Sequence, residues 1–160
     1  IYKNILEKNL EEYLNFWWYP ENIIENNLEK KERIISEIVQ TYIEKDIAQF
    51  LKIENIRAFN NLIKILSSDI WNLVNIKNIS DTLWVSMQTV NKYLDILEWT
   101  FVFSRIPPFF TNTRKEISKM PKIFVEDLWI KNFSLNEFWF TKDKINIWAE
   151  VENFIYNELR

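Results

Sequence analysis

No glycine occurs anywhere in this chain, so every turn that needs a left-handed backbone must be made by a residue carrying a Cβ, at roughly 1–2 kcal/mol each. Average usage near 7% would supply about 11 glycines over this length. Tryptophan, usually rare, occurs 8 times, and it stands where glycine is expected. Trp17 and Trp18 follow one helical stripe and precede Tyr-Pro. Trp71 follows another, where a left-handed residue commonly ends a helix. Trp84 lies in the turn of "DTLWVSMQTVNKYLDILE" (81–98), Trp129 ends a strand in "EDLWIKN", and Trp148 immediately precedes the last helix. Trp99 and Trp139 are less diagnostic. The competing reading is a set of aromatic core anchors, since tryptophan buries large areas. The coincidence of absent glycine with turn-site tryptophan favours another expectation: the written Trp stands for Gly in the natural protein, as in a genome that reads UGA as glycine. A Trp84 that is physically present then has a positive φ or distorts its turn; a packed indole with negative φ counts against the idea.

The rest of the composition excludes more than it assigns. With no cysteine and no histidine among 160 residues, disulfides, thiolate nucleophiles, imidazole acid–base chemistry and the usual zinc sites are ruled out. No run approaches the ~18 apolar residues of a membrane span, and no signal peptide is visible, so the chain reads as a cytoplasmic fragment. Its Asn-, Ile- and Lys-rich remainder points to an AT-rich genome. The net charge of −3 is uneven. Residues 1–40 carry five basic and eight acidic groups, whereas 85–125 carry Lys92, Arg105, Arg114, Lys115, Lys119 and Lys122 against Asp95, Glu98 and Glu116. A local basic face is what phosphate binding needs, although this one is a weak field.

Periodicity predicts a mainly α chain with a small β element. Ile5, Leu6, Leu10, Tyr13 and Leu14 mark a first helix that stops before Pro20; a second begins near Glu21. A longer helix covers about Glu29–Asp46 through Ile34, Ile35, Ile38, Tyr42 and Ile43, and the next, about Ile56–Ile70, aligns Phe59, Leu62, Ile63, Leu66 and Ile70. Ile76, Ile79 and Leu83 give a short helix, Val85 plugs the turn, and Ser86 caps a second helix that buries Val90, Leu94 and Leu97. "TFVFSRI" (100–106) and "PKIFVED" (121–127) read as strands around the basic loop "NTRKEISKM", and the tail from Ala149 shows an apolar stripe of Val151, Phe154, Ile155 and Leu159. Helix, turn, helix, strand, basic loop, strand is the order of a winged helix-turn-helix.

Read with glycine at Trp17, Trp18, Trp71, Trp84, Trp129 and Trp148, the whole chain resembles the C-terminal part of bacterial and archaeal AAA-type P-loop ATPases that carry an attached domain of unknown function. The resemblance rests on "LNFWWYPE", "TYIEKDI", "DTLWVSMQTVNKYLDILEWTFVF", "PPFFTNTRKEISKMPKIFVEDLWIKNF" and "WAEVENFIYNELR". It implies a helical lid-like segment over 1–46, a winged helix-turn-helix over 47–126, and over 127–160 the start of a truncated α/β domain of the restriction-endonuclease-like fold. The phosphate-binding G-x-x-x-x-G-K-[ST] is absent even with Trp read as Gly. ATP and Mg²⁺ are therefore implied for a missing N-terminal ATPase domain, with no cofactor in this fragment. Where the family has a basic residue beside the aspartate of "YIEKDI", this chain has Lys45, which puts an arginine-specific role there in doubt.

The candidate contacts lie on the second helix of the motif. Gln88, Thr89, Asn91 and Lys92 face away from Val90 and Leu94, and Arg114 and Lys115 can follow the backbone of double-stranded DNA from the basic loop. Asp95 on the same face repels phosphate, and a merely solvated face competes with this reading. The resemblance would make Glu152 the first acid of a nuclease-like site whose other ligands lie beyond Arg160, so no catalytic set is complete and no metal site is expected. Glu150, Glu152 and Glu158 otherwise read as a charged outer face. Adjacent Glu126 and Asp127 point to opposite faces of a strand, with Asp127 holding the turn at Trp129. Glu44, Lys45 and Asp46 read as a solvated helix end. The expected function is the non-catalytic C-terminal region of an ATP-binding protein, coupling nucleotide state to a DNA or protein partner. A free-standing winged-helix regulator and a fragment of a metal-dependent nuclease are the alternatives.

Overall fold

The computed structural model describes residues 8–10, 12–15, 20–49, 51–108, 119–138 and 147–160. Trp17, Trp18, Trp139 and the basic-loop residues Arg114 and Lys115 lie outside them. Residues 8–10 and 12–15 are helical, and then come α1 (Pro20–Ile24) and α2 (Leu28–Gln40). The latter continues as a wider, π-helical winding over Thr41–Gln49, so the long helix expected to Asp46 changes pitch after Gln40. α3 (Ile56–Ser68), α4 (Ile76–Leu83) and α5 (Met87–Trp99) follow. Two short strands, β1 (Phe103–Ile106) and β2 (Lys122–Val125), precede α6 (Leu128–Leu135) and α7 (Ile147–Leu159). The chain is mainly α with one small antiparallel sheet.

Asparagine and serine start these helices. The side chains of Asn27, Asn55, Asn75 and Ser86 each accept a hydrogen bond from the backbone N–H three residues on, satisfying one of the orphan donors of α2, α3, α4 and α5. Helix ends are closed without glycine. Lys52, Trp84, Phe101 and Asn136 adopt positive φ of 52°, 55°, 54° and 56°. In each case the next residue's N–H reaches back across the turn: Ile53 to Ala48 O, Val85 to Ser80 O, Val102 to Leu97 O and Glu137 to Asn132 O, at 2.8–3.2 Å. That back-bond with a left-handed residue before it is the Schellman closure. Trp71 has φ 72° and turns the chain after α3.

The positive φ expected of a real Trp84 is therefore present, and its indole is 94% exposed. Three other tryptophans behave differently. Trp99, Trp129 and Trp148 are not among the positive-φ residues. Trp129 does not end a strand: β2 stops at Val125, and Trp129 lies in the first turn of α6, buried in the core at 8% exposure. At that position the core-anchor reading holds.

One cluster of buried side chains runs from Leu14 to Ala149. The expected α3 face is its centre, with Phe59, Leu62 and Leu66 fully buried; α3 packs on α4 and α6, and α6 also on α2. β1 and β2 pair antiparallel with Phe103 opposite Val125 and Ile106 opposite Lys122. The other edge of β2 is bonded by the chain leaving α3: Trp71 N donates to Ile123 O at 2.7 Å and Val74 N to Pro121 O at 2.9 Å.

The tail helix departs from expectation. Ile155 and Leu159 of its apolar stripe are exposed, and the buried positions of α7 are Ala149, Glu150 and Asn153. The reason is the strand edge it covers. Asn153 donates to Val125 O and accepts from Val125 N at 2.7 and 2.8 Å, and Asn157 donates to Glu126 O at 2.7 Å. A leucine there would leave those backbone groups unpaired.

Candidate functional site

Helix α5 is positioned from its N-terminal end. The left-handed turn at Trp84 swings the chain away from α4, and Ser86 Oγ, accepting from Thr89 N at 3.0 Å, starts the next helix at once. Val90, Leu94 and Leu97 are buried as expected, with Tyr93 and Ile96, which fixes the outward face. Val85 is partly buried against the same core.

Gln88 and Lys92, one turn apart, are exposed on that outward face. Thr89 and Asn91 are half-buried and already engaged: Thr89 Oγ1 lies 2.8 Å from Ser86 Oγ, and Asn91 Nδ2 donates to Met87 O at 3.1 Å. Of the predicted contacts, Gln88 and Lys92 are the ones presented outright, and Thr89 and Asn91 would have to exchange local bonds to read a partner.

Arg105, counted in the sequence only towards local charge, changes the electrostatics of this face. From β1 its guanidinium contacts Asp95 at 2.6 Å and forms a second ion pair with Glu98. Burial opposes its charge, but hydrogen bonds to Glu98 and Asp95 outweigh that and raise its pKa above the ordinary value. Asp95 is thus engaged by a cation instead of standing bare beside Lys92. The signal was an acid on α5 and an arginine two residues into an adjacent strand, which becomes a contact only once the strand folds back along the helix.

The acids near the C-terminus divide in three. Glu150 is not on an outer face: it is 1% exposed and accepts from Lys131 Nζ of α6 at 2.5 Å, while Glu137 meets the same ammonium at 2.6 Å. A buried carboxylate requires such a partner. Glu158 accepts from the Tyr13 hydroxyl at 2.6 Å, and burial together with Glu158 raises the Tyr13 pKa. Glu152 is half-buried, and among the described residues no group of three His, Cys, Asp or Glu side chains could hold a metal ion.

Glu126 and Asp127 go separate ways. Glu126 accepts from Arg160 at 2.5 Å and from the Ser104 hydroxyl. Asp127 occupies the cap position of α6 without a side-chain cap bond; burial, reinforced by the Glu126 charge, pushes its pKa from 3.8 to about 6 against a hydrogen bond with the Trp129 side chain. Lys45 and Asp46 are exposed. No helix among the described residues is long and apolar enough to cross a membrane.

Comparison with known proteins gives two kinds of match. The model of a family described as a domain of unknown function, DUF8612, covers residues 7–137. An uncharacterized protein of Haemophilus influenzae is 25% identical over 97% of the chain and 38% of its own length. Uncharacterized protein MJ1544 of Methanocaldococcus jannaschii is 28% identical over the whole chain and 35% of its own length. The chain thus spans a little over a third of these relatives. No solved structure matches it.

Proposed function

The chain belongs to the DUF8612 family, whose description assigns no function, and we propose that it is the partner-contacting C-terminal region of a larger AAA-type ATP-binding protein, a winged helix-turn-helix whose helix α5 meets duplex DNA. The observation that carries this reading is the outward face of α5, where Gln88 and Lys92 are exposed and the neighbouring Asp95 is paired with Arg105. Glutamine can contact base edges and lysine phosphates, and an acid already paired repels the duplex less than a bare one. The order α4, left-handed turn, α5, β1, β2 supports the winged-helix reading, and relatives nearly three times the length of the match leave room for an ATPase domain.

In this reading residues 1–46 belong to a lid that moves with nucleotide state, and its motion repositions α5 by favouring one arrangement of the two. ATP and Mg²⁺ bind in the parent's other domain, in the cytoplasm. Residues 127–160 begin a nuclease-like domain in which Glu152 belongs to no group of three acids among the described residues that could hold a metal ion; in this reading the other ligands of a Mg²⁺-dependent nuclease lie on strands beyond this chain.

Two measurements test the proposal. Nucleotide sequence upstream of the locus should encode G-x-x-x-x-G-K-[ST]; a closed short frame refutes the ATPase parent and leaves a free-standing regulator. Fluorescence anisotropy with duplex DNA tests α5. Two or three phosphate contacts predict affinity falling about 10- to 40-fold between about 50 and 200 mM salt, and Lys92→Ala should lower the slope by about one. Binding that Lys92→Ala and Gln88→Ala leave untouched refutes the α5 face. DNA cleavage by the chain with Mg²⁺ alone would overturn the non-catalytic reading.

A further inference from the structure

A cavity of about 420 Å³ lies where the α2–π junction, α3 and the end of α6 meet. That volume is within the roughly 300–1,000 Å³ of small-molecule pockets. Ile43, Ile63 and Phe133 supply apolar lining, while Asn60, Lys64 and Ser134 supply polar groups. Lys64 is the one charged residue of that lining among the described residues, and no ion pair engages it there. A concave site with one uncompensated cation attracts anions.

Two further observations fall at the same place. The winding of the helix widens to π immediately after the lining residue Gln40, and such widened turns concentrate at functional sites. Asn60 Oδ1 is buried without a hydrogen-bond partner among the described residues, an acceptor that a ligand hydroxyl or a bound water could satisfy and an anion could not. Asn60 and Lys64 are one turn apart on α3 and both line the cavity, Lys64 from its exposed rim.

We propose that this cavity binds a small organic anion with an apolar body, the anion held by Lys64 and the body lying against Phe133, Ile43 and Ile63. Neither the α5 face nor the ATPase parent is needed for it. The site lies between helices of the core, and its ligand would rest on α3, which packs against α4 of the helix pair.

Phenyl phosphate is a suitable probe, with phenol and inorganic phosphate as its two halves. The intact chain is titrated while the side-chain amide signals of Asn60 and Gln40 are followed by NMR. Phenyl phosphate should shift both signals saturably, and each half should bind at least about tenfold more weakly. Lys64→Gln, a surface change, should weaken phenyl phosphate by at least about tenfold, the low end for a charge-assisted hydrogen bond, while leaving phenol unaffected. Ser134→Phe should block binding with the amide spectrum elsewhere unchanged. The proposal is overturned if phenyl phosphate leaves both amides unmoved, if phenol binds equally well, or if Lys64→Gln binds as the parent chain does.

Discussion

Replacing Trp84 with glycine should stabilise this protein, and the size of the effect follows from two numbers. Its φ of 55° places a Cβ where a left-handed backbone costs roughly 1–2 kcal/mol. Its indole is 94% exposed, so the side chain returns little of the ~1.5–3 kcal/mol that burying a large apolar group yields. Glycine brings a greater loss of chain entropy on folding, about 0.5–1 kcal/mol. The balance is a gain of about 0.5–1 kcal/mol, or a rise in Tm of roughly 1–4 °C at this size. Trp71→Gly relieves the same kind of strain at φ 72°. It also removes an edge-to-face contact with Phe124 at 5.5 Å and the Lys122 ammonium 3.4 Å from the ring, so its net effect should be near zero. Trp129→Gly has no strain to relieve and empties a buried site, at about 3–5 kcal/mol for the cavity plus about 1 for glycine in a helix. Urea denaturation followed by circular dichroism on the three variants measures the order. Trp84→Gly at or below the parent's stability, with an unchanged m-value, refutes the strain argument. UGA codons at positions 71 and 84, in a genome that reads UGA as glycine, would make glycine the natural residue at those two turns.

Three other changes test separate parts of the structure. Ser86→Ala removes the acceptor for Thr89 N and should cost about 1 kcal/mol in the same denaturation assay, with α5 amides exchanging faster by NMR. Glu150→Ala leaves the Lys131 ammonium without its most buried partner and should destabilise by about 3–5 kcal/mol, whereas Glu137→Ala, at the exposed end of the same cluster, should cost much less. Asp127 has a folded pKa raised from 3.8 to about 6, so between those values the folded state binds more protons than the unfolded one, and stability falls as pH rises through that window. Asp127→Asn should therefore gain on the parent chain from pH 4 to pH 7, by at most about 3 kcal/mol, and a pH-independent difference between the two would refute the assignment.

Local chemistry decided much of this protein from the sequence alone. The 3.6-residue stripe of α3 is buried as its spacing requires, Ser86 caps α5, and the turn at Trp84 is left-handed, because each depends on residues within a few positions of one another. Three of the four Schellman closures were not legible. Lys52 and Phe101 carry no left-handed preference, and Asn136, which does, lies beyond the end of any stripe the sequence displayed. What lay further apart was left to the tertiary structure. Arg105 reaches Asp95 only after β1 folds back along α5. Lys131 and Glu150, apart in sequence, form a buried pair only where α6 and α7 cross. α7 turns Asn153 inward because it covers the backbone of β2 rather than an apolar surface. Trp129 is an anchor and Trp84 an exposed turn residue for the same reason: the identical side chain meets a core at one position and solvent at the other, and burial is a property of the assembled fold.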